Sequence, residues 1–155
     1  MSISGRDAVA GPVLRVASLS AWYGELRAVY DCSLELERGD VLAVIGANGA
    51  GKSTLLKSLA GLMSRGARTH VRGTVEFDGR RIERLGPEAI VDAGVALVPE
   101  GRRLFQRMTV EDNLLAILET LPIARAGRRQ RMESLIEDLD LGKVRASRAE
   151  RMAGE

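Results

Sequence analysis

Cysteine, histidine and aromatic residues are scarce in this sequence, and each shortage narrows the possible functions. Cys32 and His70 are the only residues of their types among 155, and aromatic side chains make up 3% of the chain. One cysteine cannot form a disulfide within the chain or assemble a cysteine-based metal site. Few aromatic side chains leave little surface on which nucleic-acid bases could stack. The composition therefore favours a reducing compartment.

Long apolar runs and an export signal are also absent. Nowhere do eighteen apolar residues follow one another, and residues 1–12 lack both a basic start and an apolar stretch. We therefore expect a chain that neither crosses a membrane nor is exported, with residues 1–12 as a flexible tail. The net charge of +2 is too small to indicate nucleic acid as a partner.

The segment from residue 46 to residue 54 fits the phosphate-binding pattern G-x-x-x-x-G-K-[ST]. Glycines let the backbone bend so that successive N–H groups face one anion, where a Cβ would block the close approach of phosphate. Lys52 is expected to contact the β and γ phosphates, and the Ser53 hydroxyl to bind Mg²⁺. The predicted nucleotide-binding residues of this loop are Gly46, Asn48, Gly49, Ala50, Gly51, Lys52, Ser53 and Thr54.

The sequence around the loop predicts a mixture of α and β structure. A continuous apolar run at 41–45 predicts a strand buried on both faces, and leucines at helical spacing after the loop predict a helix. A second buried strand is predicted at 95–98. Alternating segments at 13–23, 28–37 and 71–77 predict antiparallel strands, the last of them followed by an Asp78-Gly79 hairpin turn.

The remaining segments predict helices. Pro87 near the start and Gly94 at the end bracket a short helix. Thr109 to Asp112 is typical of a capped helix start. A further helix is predicted to carry its apolar face on Met132, Leu135, Ile136 and Leu139.

A phosphate-binding pattern of this form is compatible with more than one function, and three alternatives compete with an ATP-hydrolysing enzyme. Another phosphate-loop enzyme, such as a small kinase or a GTPase, fits less well because no Asn-Lys-x-Asp follows and antiparallel strands precede the loop. A non-catalytic nucleotide-binding or interaction module is a second alternative. A nucleic-acid binder is the third, but its arginines alternate with acidic residues and favour a solvated face. These arginines are Arg102, Arg103, Arg107, Arg125, Arg128, Arg129 and Arg131.

Several segments together resemble the ATP-binding subunits of ABC transporters. Tyr23 lies ahead of the loop at the position where that family stacks an aromatic ring on adenine. The segment 73–79 is similar to the family's hairpin, and residues 95–105 followed by 108–114 resemble the segment around its Q-loop. Most ABC ATPases carry glutamine where this chain has Glu100, and the Pro-Glu-Gly-Arg-Arg form resembles the ATPase subunits of branched-chain amino acid importers.

The resemblance implies a fold, ligands and partners. The implied fold class is α/β, with a phosphate-loop NTPase core and antiparallel β subdomain at 13–101 and the start of a helical subdomain at 102–155. The implied cofactors are ATP and Mg²⁺, with Glu100 joining Ser53 near the metal. The implied partners are transmembrane permease subunits and a second ATPase subunit, at the cytoplasmic face of the cell membrane. Substrate identity would rest on analogy.

The chain departs from the family in one large respect. The strand that ends in aspartate and glutamate (Walker B), the Leu-Ser-Gly-Gly signature and the switch histidine do not occur in these 155 residues. Asp92 is no substitute, because proline and glycine around it predict a helix. His70 precedes a predicted strand and is expected at the surface. We therefore expect an incomplete domain without its carboxy-terminal half, and we predict no catalytic residue.

Overall fold

The computed structural model describes residues 11–63, 68–101 and 103–150, and most of the predicted tail lies outside these ranges. The chain divides into two compact units, and the boundary in the sequence falls between Val98 and Pro99. Each unit is described below by itself. The domain bounds inferred from the sequence remain a prediction.

The first unit is built on a four-stranded antiparallel sheet. Its strands are β1 (Leu14–Tyr23), β2 (Leu26–Leu36), β3 (Thr69–Phe77) and the short β4 (Arg80–Arg81). They lie in the order β2-β1-β3-β4, so β1 is an interior strand. The antiparallel strands and the Asp78-Gly79 hairpin turn predicted from the alternating pattern are confirmed.

A bulge in the sheet depends on Gly73. The register between β1 and β3 shifts between Ala17 and Ser20, and Gly73 opposite has a φ of 109°. A Cβ at this position would lie 2.7 Å from the Cα of Leu19. Only glycine has neither a steric penalty at this φ nor a side chain to collide with β1. The bulge thus explains a glycine inside a strand.

Two helices accompany the sheet in the first unit. Helix α1 (Lys52–Leu59) contacts β1 and β2, and helix α2 (Pro87–Ala93) ends at Gly94, which has a φ of 110°. Helix α2 follows the bounds predicted from Pro87 and Gly94, and α1 forms where the leucine spacing predicted a helix. The buried core joins side chains of the sheet, of both helices and of Ile82: Val16, Leu19, Ala21, Val29, Leu55, Val75, Ile82 and Ile90.

The two buried strands predicted at 41–45 and 95–98 are wrong for the described part of the chain. No strand is formed in either segment, and Val41, Ile45 and Val98 are 96%, 91% and 92% exposed. A strand buried on both faces needs a hydrogen-bonded neighbour on each side. Within the described ranges, the sheet pairs only antiparallel strands and reaches neither segment. Apolar composition alone therefore did not establish strand pairing.

The second unit is helical, as expected. It contains α3 (Val110–Leu118), α4 (Arg125–Asp138) and a 3₁₀ turn at Gly142–Val144. Leu118, Met132 and Ile136 form its buried core, whereas Leu139, predicted on the same face, follows the end of α4 and is exposed. Among the described residues, no helix is long and apolar enough to cross a bilayer.

The predicted capped start of α3 is confirmed. The Thr109 hydroxyl accepts a hydrogen bond from the Asp112 backbone N–H at 3.1 Å, and the Asp112 carboxylate accepts from the Thr109 backbone N–H at 3.2 Å. Hydrogen bonds from the Thr109 hydroxyl and then from its backbone lower the pKa of Asp112. A hydrogen bond from Arg145 lowers the pKa of the neighbouring Glu111. Both carboxyl groups are therefore held in their charged form.

We expect the stability of the chain to fall with pH below about 4, close to the unfolded pKa values of these groups. A carboxyl whose pKa is lowered by folding stabilises the protein above its unfolded pKa, and this stabilisation is lost as pH falls through the folded value. Urea unfolding followed by circular dichroism should show a shallower decline for Asp112→Asn. Asp92→Asn, on the exposed side of α2, is the control. Equal declines in the unaltered chain and in Asp112→Asn would contradict the prediction.

Candidate nucleotide-binding site

The predicted phosphate loop runs into the first turn of α1. Gly49 and Gly51 have φ values of 84° and 87°, and Gly51 is the residue that precedes the helix. A turn closes inside the loop, where the Ala50 N–H donates to the Ala47 carbonyl at 3.1 Å. The first N–H groups of a helix have no acceptor within it and carry the positive end of its dipole. The loop therefore ends at a position suited to an anion.

Gly51 also lies against the sheet. A Cβ at this residue would collide with the carbonyl oxygen of Ala28 and lie 3.5 Å from a methyl of Val29, both in β2. A Cβ on Gly49 would meet nothing within 4 Å, although its φ is also positive. The two glycines thus have similar positive φ values but differ in the space around them.

We expect Gly51→Ala to damage the loop more than Gly49→Ala does. Both changes strain a left-handed backbone, at a cost of about 1–3 kcal/mol, and only Gly51→Ala adds a collision with β2. Thermal unfolding should show a clearly lower midpoint for Gly51→Ala, and ATP titration a greater loss of affinity. Equal midpoints for the two variants would show that the contact with Ala28 does not constrain the loop.

Lys52 folds across the loop. Its ammonium donates to the carbonyls of Gly46 and Ala47, at 2.7 and 2.8 Å. The positive charge of Lys52 is therefore held against the start of the glycine loop. A lysine in this place can stabilise the negative charge of a phosphate. Its ammonium is a compact positive charge on a flexible stem, and its three N–H donors can rotate toward phosphate oxygens.

The two hydroxyl residues after Lys52 differ in exposure. Ser53 is exposed, whereas Thr54 is buried beneath the helix start. Magnesium prefers oxygen ligands and is usually held by few protein groups together with substrate phosphates. An exposed hydroxyl beside a phosphate loop fits that requirement. Within the described ranges, no three carboxylate, histidine or cysteine side chains are grouped so that they could hold a metal ion.

The structure places the two candidate aromatic side chains in different surroundings. Tyr23 ends β1 and is 40% exposed. Trp22 stacks on His70, with ring centroids 4.5 Å apart and planes 10° apart. The guanidinium groups of Arg27 and Arg72 lie 5.1 and 5.6 Å from the centre of the Trp22 ring. Trp22 is therefore already engaged, and Tyr23 is the more accessible ring.

Sequence reasoning missed this stack. His70 is exposed, as predicted, but it also faces Trp22 across the pairing of β1 with β3. The alternating pattern predicted both strands but not their register, so nothing in the sequence placed these two rings opposite each other. Since β2 and α1 lie between β1 and β3 in the chain, a hairpin-turn signal could not have fixed the register of this pair.

We expect Tyr23→Ala to weaken ATP binding about fivefold, since ring stacking contributes on the order of 1 kcal/mol. Tyr23→Phe keeps the ring and should bind almost as the unaltered chain does. Calorimetric titration of ATP into the three proteins is the measurement. If Tyr23→Ala binds ATP normally while folded Trp22→Ala binds it weakly, the ring that stacks on adenine is Trp22 and not Tyr23.

Glu100, the second predicted metal ligand, belongs to the second unit, whereas Ser53 belongs to the first. Its side chain is exposed. The structure thus describes the two proposed ligands in separate units, and the role of Glu100 remains a prediction.

The chain belongs to the ABC transporter family, whose sequence profile matches residues 29–155. The match includes the phosphate loop and both helical segments of the second unit. The fold agrees with this assignment. A crystal structure described as a nucleotide-free ATP-binding cassette from an ABC transporter is similar at a TM-score of 0.73 and 25% identity, over 90% of this chain and 58% of that one.

Named relatives within the family differ in what they transport. The branched-chain amino acid transport ATP-binding protein BraG of Pseudomonas aeruginosa is 40% identical over 66% of this chain and 42% of its own length. The lipopolysaccharide export ATP-binding protein LptB of Acidithiobacillus ferridurans is 31% identical over 92% of this chain and 57% of its own length. The chain thus spans about half the length of these curated relatives.

Proposed function

We propose that this chain is the nucleotide-binding part of an ABC importer subunit and that it binds Mg-ATP through residues 46–54. The observation that carries the proposal is the glycine loop held against β2 and leading directly into α1, in a chain of the ABC family. In this proposal, backbone N–H groups, the Lys52 ammonium and the Ser53 hydroxyl contact one triphosphate.

Each group in the loop has a distinct task in this proposal. The backbone N–H groups around Gly49 and Gly51 hold the phosphates, and the start of α1 adds its dipole. Lys52 exchanges its carbonyl partners for the β and γ phosphate oxygens, gaining charge-assisted hydrogen bonds. Ser53 directs a hydroxyl oxygen to Mg²⁺, which neutralises phosphate charge when bound. Tyr23 stacks on adenine.

The finer proposal is import of branched-chain amino acids. It is supported by the Pro-Glu-Gly-Arg-Arg sequence around Glu100 and by 40% identity to BraG. The partners proposed with it are transmembrane permease subunits and a second ATPase subunit, with the assembly on the cytoplasmic face of the membrane. In the whole protein, ATP binding and hydrolysis would be coupled to transport.

Nucleotide titration tests the binding proposal. Calorimetry on folded, monodisperse chain should show one Mg-ATP bound per chain and far weaker binding of AMP, because AMP lacks the β and γ phosphates that the loop contacts. Equal affinity for ATP and AMP would place recognition on the nucleoside and overturn the proposal.

Uptake measurements test the transported substrate. Cells lacking the gene for this protein should take up radiolabelled leucine more slowly than the parent strain and inorganic phosphate at the parental rate. Normal leucine uptake would contradict the finer proposal while leaving nucleotide binding to be judged by titration.

A further inference from the structure

The two ends of the proposed ATP site lie on different strands. Tyr23, the ring proposed for adenine, ends β1 and pairs with Thr69 of β3. The phosphate loop lies against β2 instead, where a Cβ on Gly51 would collide with the Ala28 carbonyl oxygen. A ligand that contacts both places binds best when they are already held at the right separation. ATP affinity should therefore depend on how β1 and β2 are fixed to each other.

The pairing of β1 with β2 is irregular at this point. Ala21 pairs with Val29 and Trp22 with Arg27, so that Ala28 is an extra residue on β2. An extra residue of this kind interrupts the ladder of backbone hydrogen bonds and bends the strand. The residue against which the loop lies is thus at a weak point of the backbone pairing.

The half-buried side chain of Arg27 joins the two strands around this bulge. Its terminal N–H donates to the Ser20 hydroxyl of β1 at 2.6 Å, and its Nε–H donates to the Val29 carbonyl of β2 at 3.3 Å. The buried Ser20 hydroxyl also accepts from the Asp31 backbone N–H at 3.0 Å. Side-chain hydrogen bonds thus connect β1 to β2 on either side of Ala28.

The positive charge of Arg27 lies between aromatic rings of both strands. The guanidinium carbon is 5.1 Å from the ring centre of Trp22 in β1 and 4.8 Å from that of Tyr30 in β2. A guanidinium at such distances is attracted to the face of an aromatic ring. In the part of the chain that the structure describes, Arg27 makes no salt bridge. Its contacts therefore hold the two strands together rather than neutralise a carboxylate.

We propose that Arg27 is a positioning residue for ATP. It fixes β1 against β2 so that Tyr23 reaches adenine while the loop holds the triphosphate. Arg27 acts through Tyr23 in this proposal and contacts no part of the nucleotide itself. Inorganic triphosphate contacts the loop alone, so its binding does not need this arrangement. The inference rests on the proposed function.

Calorimetric titration of Mg-ATP and of magnesium with inorganic triphosphate tests the inference. Arg27→Gln should weaken ATP binding about threefold, less than Tyr23→Ala because the ring is still present, and should leave triphosphate binding unchanged. The double variant should bind ATP as Tyr23→Ala does, since both changes remove the same contact. Arg15→Gln, which removes an arginine of β1 that pairs with Glu35, is the matched control and should bind both ligands normally.

A serine pair repeats the test with the guanidinium in place. Ser20 and Ser33 each accept a backbone N–H from the other strand, at 3.0 Å from Asp31 and 2.9 Å from Ser18, and Ser20 also accepts from Arg27. Ser20→Ala should weaken ATP binding and spare triphosphate, whereas Ser33→Ala should bind both normally. If Arg27→Gln does not fold, this pair decides the question.

Trp22 provides a spectroscopic measurement of the same contact. It is the only tryptophan in the sequence, so the fluorescence of the chain reports on its ring. Quenching by acrylamide should increase in Arg27→Gln, because the guanidinium no longer covers the ring, and should stay unchanged in Arg15→Gln. Unchanged quenching in folded Arg27→Gln would contradict the inference.

The pattern of losses separates this inference from the proposed function. Equal losses of ATP and triphosphate affinity in Arg27→Gln, or additive losses in the double variant with Tyr23→Ala, would overturn the inference alone. So would normal ATP binding by Arg27→Gln. The proposed function itself fails, and the inference with it, if the unaltered chain binds triphosphate no more tightly than Lys52→Ala does.

Discussion

Replacing Lys52 with alanine is expected to lower the affinity for Mg-ATP by about 10- to 100-fold. A hydrogen bond to a charged group contributes about 1.5–3 kcal/mol, and each 1.4 kcal/mol is a factor of ten in affinity. Because the ammonium bridges the carbonyls of Gly46 and Ala47, it already lies over the turn where phosphate would bind. Calorimetric titration of the two proteins is the measurement.

Lys57→Ala is the matched control for this prediction. Lys57 is an exposed lysine of the same helix, in its last turn, and its loss removes the same charge away from the loop. Circular dichroism and thermal unfolding should show Lys52→Ala to be folded, since the lost hydrogen bonds are on an exposed loop. Equal ATP affinity in the unaltered chain and in folded Lys52→Ala would refute the assignment of the loop.

A chain of these 155 residues is expected to bind ATP but to hydrolyse it at least about a hundredfold more slowly than a complete ABC ATPase. Hydrolysis needs the nucleotide held, the metal fixed and a water molecule aligned and deprotonated. The loop meets the first requirement, and Ser53 meets part of the second. No Walker B carboxylates, signature sequence or switch histidine occur in the sequence to meet the rest.

A phosphate-release assay on purified, monodisperse chain decides this prediction. Monodisperse protein is essential because the exposed apolar side chains at Val41, Ile45 and Val98 favour association between chains. Release at the rate of a complete ABC ATPase, lost in Lys52→Ala, would show that the missing groups are dispensable. Release that persists in Lys52→Ala would come from a contaminant and would leave the expected low rate in place.

Local sequence signals predicted most of the elements correctly. Alternating residues predicted β1, β2 and β3, Pro87 and Gly94 predicted the bounds of α2, and Thr109 predicted the start of α3. Each of these signals acts within one turn or one strand, so it needs no knowledge of distant neighbours.

Features that depend on distant pairing were not predictable in the same way. The apolar runs at 41–45 and 95–98 have the composition of buried strands, yet pairing depends on what lies beside them. The stack of Trp22 on His70 depends on the register of β1 against β3. The glycine turn that leads into α1 was predictable, because the spacing of the motif encodes one compact backbone shape.

A crystal structure of the chain with Mg²⁺ and a non-hydrolysable ATP analogue tests the central claim most directly. We predict that the β-phosphate lies within hydrogen-bonding distance of backbone N–H groups between Gly49 and Thr54, with Lys52 on the γ-phosphate and adenine against Tyr23. Ser53 is expected to coordinate the metal, with Glu100 close to it. An analogue bound elsewhere, with residues 46–54 empty, would contradict the account.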